Sequence, residues 1–355
     1  KTVGTMAQFC LRCHSGNSNV TKTISSTVRL PYTMTWPNIW FTNNSSGWFK
    51  DSVFFNSDHG SPTKGNLVCT TCHDPHGTRD HLILAKPYDG FDYKGNCLRC
   101  HDGSTSGKNI QAAMSKPARH PALDSGFGGH EIDENYQGLG RAPNYNRHAE
   151  CEDCHDPHSV SDTVATAPYA AGSIKNVTGV GFTATDAGSR PAWTSLAYNS
   201  PIYKFMEPIT KEYELCYKCH SSYAFDTNYP TSTSGAIETD IAKQFNPNNP
   251  SYHPVEAVGK NTTIPDASFN NGWGVTNMMY CFDCHGDDAG TTRGPHGSNN
   301  KFLLKLPYDN GEWSGSKKND LCYNCHLQTV YANTTAGTNT SNFKDSGGAN
   351  LHAKH

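Results

Sequence analysis

The sequence contains no apolar run approaching the roughly 18 residues needed to cross a bilayer; stretches such as LILA at 82–85 stop far short. Charge is also sparse. Only 17% of residues are Asp, Glu, Lys or Arg, the formal net charge is −3, and basic clusters are absent, which excludes the electrostatic footprint of a nucleic-acid binder. Apolar residues amount to 35% of 355 and the mean hydropathy is −0.66, a thin supply for an ordinary hydrophobic core. Low charge argues against disorder of the usual highly charged kind, since Gly, Asn, Ser and Thr make up the difference. Methionine is scarce, with six in the chain, and no cysteine is spare for a disulfide.

All 14 cysteines fall in C-x-x-C-H runs: CLRCH (Cys10, Cys13, His14), CTTCH (Cys69, Cys72, His73), CLRCH (Cys97, Cys100, His101), CEDCH (Cys151, Cys154, His155), CYKCH (Cys216, Cys219, His220), CFDCH (Cys281, Cys284, His285) and CYNCH (Cys322, Cys325, His326). With 18 His in 355 residues, finding His after every pair by accident has odds on the order of one in a billion. C-x-x-C-H is the attachment signature of c-type haem, in which the two thiols bond the porphyrin and the histidine takes the iron. Zinc is the alternative chemistry for C-x-x-C pairs, but it needs no histidine after each pair, and seven knuckles do not pair off. The expected cofactors are seven covalently bound haem c groups.

An iron so held has a second axial position to fill. Eleven histidines lie outside the motifs, enough for seven irons with four to spare, whereas methionines fall one short of seven. Seven bis-histidine haems are therefore expected. Internal repeats suggest the ligands. CTTCHDPHG at 69–77 leads through PYD to CLRCH at Cys97, and CFDCH at Cys281 leads through PHG and PYD to CYNCH at Cys322; His76 to Pro87 and His296 to Pro307 are both eleven residues. A looser copy runs from CEDCHDPH at Cys151 to CYKCH at Cys216. Three doublets result, and the motif at Cys10 is an orphan second half.

Each doublet has an upstream histidine (His59, His148, His253) and a P-H histidine (His76, His158, His296), and the simplest assignment gives one to each of its two haems. The orphan's distal ligand then comes from His81, His120, His130, His352 or His355. His120 in ARHPAL is favoured, because a following proline holds the histidine in extended backbone as in His253–Pro254. The tail NLHAKH is the rival: His352 or His355 could reach an iron of a neighbouring copy and stitch copies head to tail, a contact that makes a filament if it does not close. His81 and His130 read as solvated or hydrogen-bonded side chains.

At about 51 residues per motif, porphyrins can serve as the core. The predicted fold is mostly irregular coil, with short helices at the motifs and few short strands, wrapped round a continuous stack of seven haems; a short hairpin is conceivable in VTGVGFTAT at 177–185. One haem-cored unit spans 1–355, divided into the orphan haem and linker (1–58), first doublet (59–120), second doublet with insertion (121–252), third doublet (253–326) and tail (327–355). The chain opens KTVGTMAQ without a basic-then-apolar leader. Covalent attachment takes place after export, so an exported protein is expected.

On CTTCHDPHG, CEDCHDPH, RGPHGS and the paired spacing, residues 59–326 resemble the doubled-C-x-x-C-H multihaem cytochromes c of metal-reducing and electroactive bacteria, and most of all those that polymerise into extracellular conductive filaments. That resemblance implies self-association, redox partner proteins and extracellular electron acceptors, with one distal histidine able to come from the next subunit; seven haems exceeds the count associated with such filaments. The expected function is electron conduction, not catalysis, because an iron with two protein ligands has no open position. Alternatives are a monomeric periplasmic shuttle, a sensor or store, or a nitrite, hydroxylamine or sulfite reductase. The last would need one open haem, and all seven motifs end in His.

Overall fold

A computed structural model describes residues 51–76, 94–123, 149–183, 190–192, 203–224, 240–308, 320–331 and 342–343. Among these the regular elements are short. Helices are α1 (Asp51–Asn56), α2 (Cys69–Cys72), α3 (Lys94–His101), α4 (Ile110–Met114), α5 (Cys151–Cys154), α6 (Glu212–His220), α7 (Ile241–Gln244), α8 (Cys281–Cys284), α9 (Asp320–Tyr323) and α10 (Gln328–Tyr331). Strands are β1 (Ala118–Arg119), β2 (Gly179–Gly181), β3 (Lys204–Met206) and β4 (Gly297–Ser298). The described residues are mostly coil, as composition predicts.

The motif itself nucleates a turn. In α2, α5 and α8 the histidine N–H reaches back to the first cysteine's carbonyl (His73 to Cys69, 2.9 Å; His155 to Cys151, 2.9 Å; His285 to Cys281, 3.0 Å), which sets both sulfurs and the imidazole beside one another. The residue before the second cysteine closes the other end. Asp153 and Asp283 each accept the N–H of the residue preceding the helix, at 2.8 Å, and Thr71 does so for Val68 at 3.1 Å. A side chain three residues in that turns back on the entry N–H satisfies a donor that one helical turn cannot. The second motifs of the first two doublets instead end the longer helices α3 and α6.

Two antiparallel pairs tie distant segments together. β1 pairs with β4 (Ala118 opposite Ser298, Arg119 opposite Gly297), joining the stretch that carries His120 to the one that carries His296. β2 pairs with β3 (Val180 opposite Phe205), so 179–181 finds a partner about 25 residues on rather than folding on itself as a local hairpin. Gly297 is required at its crossing: a Cβ there would lie 1.9 Å from the Ala113 carbonyl oxygen.

One apolar cluster is present among the described residues. Val180, Tyr213, Tyr217, Ala242, Val255 and Met279 are buried together, with Phe182, Tyr203 and Phe205 packed against them. Its polar seam is an ion pair between Arg190 and Glu256, each about 4% exposed, with Arg190 stacked 3.8 Å over the Phe182 ring and the Tyr217 hydroxyl donating to Glu256 at 2.8 Å. This cluster touches Cys281 and lies beside the second and third doublets. No helix among the described residues is long and apolar enough to cross a membrane.

Candidate metal centres

Six of the seven motif histidines fall in the described residues, and four of them face a histidine from outside the motifs. Ring centroids are 6.2 Å apart for His73 and His158, 6.1 Å for His101 and His59, 6.1 Å for His155 and His296, and 6.1 Å for His220 and His120. Ordinary ring contacts in this protein scatter, from 4.5 Å for Tyr280 and Phe282 to 6.4 Å for Phe54 and His158. Four pairs that agree within 0.1 Å, each with one motif and one non-motif member, are not casual packing. Two imidazoles on opposite sides of one metal, with metal–nitrogen bonds of about 2 Å and ring centres about 1 Å beyond each nitrogen, give about 6 Å. The residues fit an iron between each pair.

Ring tautomers fit as well. Nδ1 of His59 donates to the Pro157 carbonyl (2.8 Å), that of His120 to Pro295 (2.7 Å), that of His155 to Ser173 (2.6 Å) and that of His285 to Phe302 (2.9 Å). His76 and His158 turn Nδ1 toward Asp74 (3.1 Å) and Asp156 (3.4 Å). A ring that donates from Nδ1 keeps the Nε2 lone pair for a metal and is fixed in orientation by the acceptor. Burial lowers the His296 pKa to about 4, so this ring is neutral near pH 7, the state that can ligate.

The pairing departs from the sequence expectation. His158 faces His73 of the preceding doublet, not a motif of its own, and His296 likewise faces His155. His120, assigned to the orphan motif from sequence, stands across from His220 of the second doublet. His76 and His253 are solvent-exposed and face no motif histidine among the described residues. His285 has its Nδ1 anchored but no histidine opposite it among those residues, and His326 stacks with Phe269 (5.9 Å) and meets Tyr331 edge-on (4.9 Å). Cys10, Cys13, His14, His81, His130, His148, His352 and His355 lie outside the described residues.

A rule emerges that spacing did not reveal. Pro157–His158 serves both motifs of the first doublet, the histidine facing His73 and the proline carbonyl orienting His59 toward His101; Pro295–His296 does the same for the second doublet through His155 and His120. The signal in the sequence was the P-H dipeptide itself, whose histidine and whose proline carbonyl reach the two motifs of one doublet.

Sulfurs of successive motifs adjoin. Cys97 meets Cys151 and Cys216 meets Cys281 at hydrogen-bond range, while Cys72 and Cys100, Cys154 and Cys219, and Cys284 and Cys325 are close enough to sense one another's charge. Between doublets the adjoining sulfurs are the first cysteines of their motifs, whereas within a doublet second cysteines sense both the first and the second cysteine of the other motif, as Cys154 does Cys216 and Cys219. Glu212, Cys216 and Cys281 hold ligand atoms within 4.8 Å of one another, a three-donor set short of a zinc tetrahedron; the Glu212 oxygens already accept the N–H groups of Cys281 (3.1 Å) and Phe282 (3.3 Å).

Residues 274–330 match the family model described as Doubled CXXCH motif. The match spans the third doublet and supports a multihaem c-type cytochrome, with covalently bound haem c indicated by the motifs. No curated protein and no solved structure matches the chain. The doubled motifs are further held by lysine clips. Lys64 bridges Asp58 and Asp162, both at 2.6 Å, locking the His59 segment to the loop after His158. Lys116 bridges Asp287 and Asp288 (2.5 Å to the latter), locking the His120 segment to the loop before His296.

Burial by itself would raise the Asp287 pKa, but Lys116, the Thr291 hydroxyl and the N–H groups of Thr292 and Ala289 outweigh it and hold the carboxyl far below the usual range. A depressed folded-state pKa contributes stability that is complete above the unfolded value, about 4, and is lost as pH falls through the folded value. Lys116→Met is expected to cost about 3 kcal/mol, because it strips a buried carboxylate of its cation. Thermal melts of the two proteins should keep a constant gap from pH 7 down to about 4 and converge in stronger acid; a gap already closed at pH 5 would contradict the clip.

Proposed function

We propose that this protein is an electron conduit, a cytochrome with seven bis-imidazole haem c groups and no catalytic iron, exported to the cell exterior and assembled from copies joined head to tail. The observation that carries this reading is the set of four histidine pairs about 6 Å apart. An iron with both axial positions taken by protein exchanges electrons but not substrates. His73 and His158, His101 and His59, His155 and His296, and His220 and His120 would hold the irons, and the haems supply one-electron chemistry when bound. The chain's part is to fix ring orientation through carbonyl and carboxylate acceptors, to exclude exchangeable ligands, and to bring successive attachment sites together. The succession of neighbouring sulfurs from Cys72 to Cys325 supports a continuous relay.

Assembly is supported by two unmatched halves of the pairing rule. Asp74–Pro75–His76 has the local geometry of Asp156–Pro157–His158: in each the histidine N–H binds the aspartate, at 2.9 and 3.0 Å, and the ring turns toward it. His158 is engaged, whereas the His76 side chain is 93% exposed. His285 in turn has its Nδ1 anchored on the Phe302 carbonyl at 2.9 Å and no histidine ring opposite it among the described residues. His76 of a second copy therefore completes His285, and His253 takes the place toward His326 that His59 and His120 hold in the other doublets. The orphan motif at Cys10 and the tail histidines would complete the junction.

The test is spectroscopic. Purified, haem-loaded protein should give only low-spin bis-imidazole signals by electron paramagnetic resonance and no change in its reduced visible spectrum under carbon monoxide. A high-spin signal, or carbon monoxide binding by assembled protein, would favour a reductase instead.

A further inference from the structure

The residue before the second cysteine of each motif sits at the contact inside each doublet, and its charge changes from doublet to doublet. In the first, the Arg99 guanidinium donates to the Thr71 carbonyl, a cation facing a neutral residue. In the second, Lys218 donates to the Asp153 carbonyl at 2.8 Å with its side chain 2% exposed, and its ammonium lies 3.8 Å from the Asp153 carboxylate, so the charges cancel. In the third, the positions hold half-buried Asp283 and neutral Asn324, an anion with no cation at either paired position. These charges bear on haem-carrying sulfurs: Arg99 acts on Cys72, Lys218 on Cys154 and Asp283 on Cys284.

The other nearby charges keep this order. Glu152 lies near Cys97, between the first and second doublets, and Glu212 lies at Cys216 and Cys281, between the second and third; each lowers both of its neighbours. Arg293 and Lys305 approach the Phe282 ring at 5.8 and 5.6 Å and offset part of Asp283; half-buried Lys305 also acts on Cys284, against the larger effect of Asp283, while Arg293 is solvent-exposed, where water screens it. From first doublet to third, the charge at the contact runs positive, neutral, negative.

We propose that these paired positions grade the reduction potentials along the row, highest at the Cys69/Cys97 doublet and lowest at the Cys281/Cys322 doublet, so that electrons run downhill from the third doublet to the first. A cation beside a haem favours the state with the extra electron, and an anion disfavours it, more strongly in a buried setting than in water. The step is one electron: the third doublet is oxidised and the first reduced, with no bond or proton moved. The inference rests on the bis-imidazole reading above, since an open iron would take its potential from its exchangeable ligand.

Spectroelectrochemical titration of the haem-loaded protein tests it. Arg99→Gln should lower the two highest potentials, changing the electron share held by those haems about tenfold relative to the rest. Asn324→Lys, which rebuilds the arrangement of the second doublet in the third, should raise the two lowest by a similar factor; Arg99→Lys should keep the wild-type values. Low-spin signals should persist throughout, which a loss of packing would not allow. If Asn324→Lys leaves the lowest potentials in place, or Arg99→Gln moves them, the grading is wrong. Carbon monoxide binding by the assembled wild type would instead overturn the bis-imidazole reading beneath it.

Discussion

Replacing His76 with alanine should convert assembled protein into single copies, each holding one haem that binds carbon monoxide when reduced. The expected loss is large because the substitution removes the proposed coordinate bond at every junction while costing its own copy one exposed ring contact. His76 is exposed, and its ring contact is with Asp74, two residues away. Added imidazole should return the open iron to a low-spin spectrum without restoring assembly, since a free ligand supplies the nitrogen but not the chain behind it. Asp74→Ala, which frees the ring to turn, should weaken assembly roughly 10- to 100-fold, the usual range for losing the partner that orients a ligating histidine. Negative-stain microscopy and light scattering read both effects. Filaments that survive His76→Ala intact, with no carbon monoxide binding, would sink this junction and return the choice to the tail histidines.

What the sequence made legible was chemistry rather than pairing. Cysteine arithmetic points to haem c, repeats point to doublets of which the family model matches the third, and composition anticipated the coil of the described residues. The histidine pairs escaped because a ligand is chosen by where folding brings it, and separation along the chain carries no information about that. His59 is oriented by a carbonyl 98 residues away, and His120 by one 175 residues away. A repeat analysis treats each doublet as self-contained, whereas these doublets are completed by the one that follows, as Pro157–His158 shows. The β2 strand was misread for a related reason: VTGVGFTAT has turn and strand residues in hairpin order, but Glu214 crowds Gly179 and the strand pairs with Lys204–Met206. In the described chain, tertiary contact overrode local preference wherever a haem site was being closed.

The chain made without haem, by production where no attachment takes place or with the motif cysteines replaced by serine, should show no cooperative thermal transition, whereas the loaded protein should melt as a cooperative unit. The argument is one of scale. Helices among the described residues run from four to nine residues, below the ~12–15 at which isolated helices become even marginally stable in water. Strands of two and three residues in two-stranded pairs add little, because such pairs are marginal without a packed face. The single apolar cluster holds six buried side chains, all between Val180 and Met279, so the first doublet has no share in it. Outside that cluster, the contacts that join distant segments are short strand pairs, single hydrogen bonds such as that from the Tyr280 hydroxyl to the Ala165 carbonyl, and those that flank the histidine pairs: the clips of Lys64 and Lys116 and the carbonyls of Pro157 and Pro295. Without iron, each pair leaves two imidazoles about 6 Å apart with no bond joining them, and the loops of the first doublet must then be held by the Lys64 clip at the modest worth of an exposed ion pair. Circular dichroism of the haem-free chain should therefore report mostly coil at all temperatures. A sharp melt near that of the loaded protein would mean that the polypeptide carries its own core and that the haems are passengers in it.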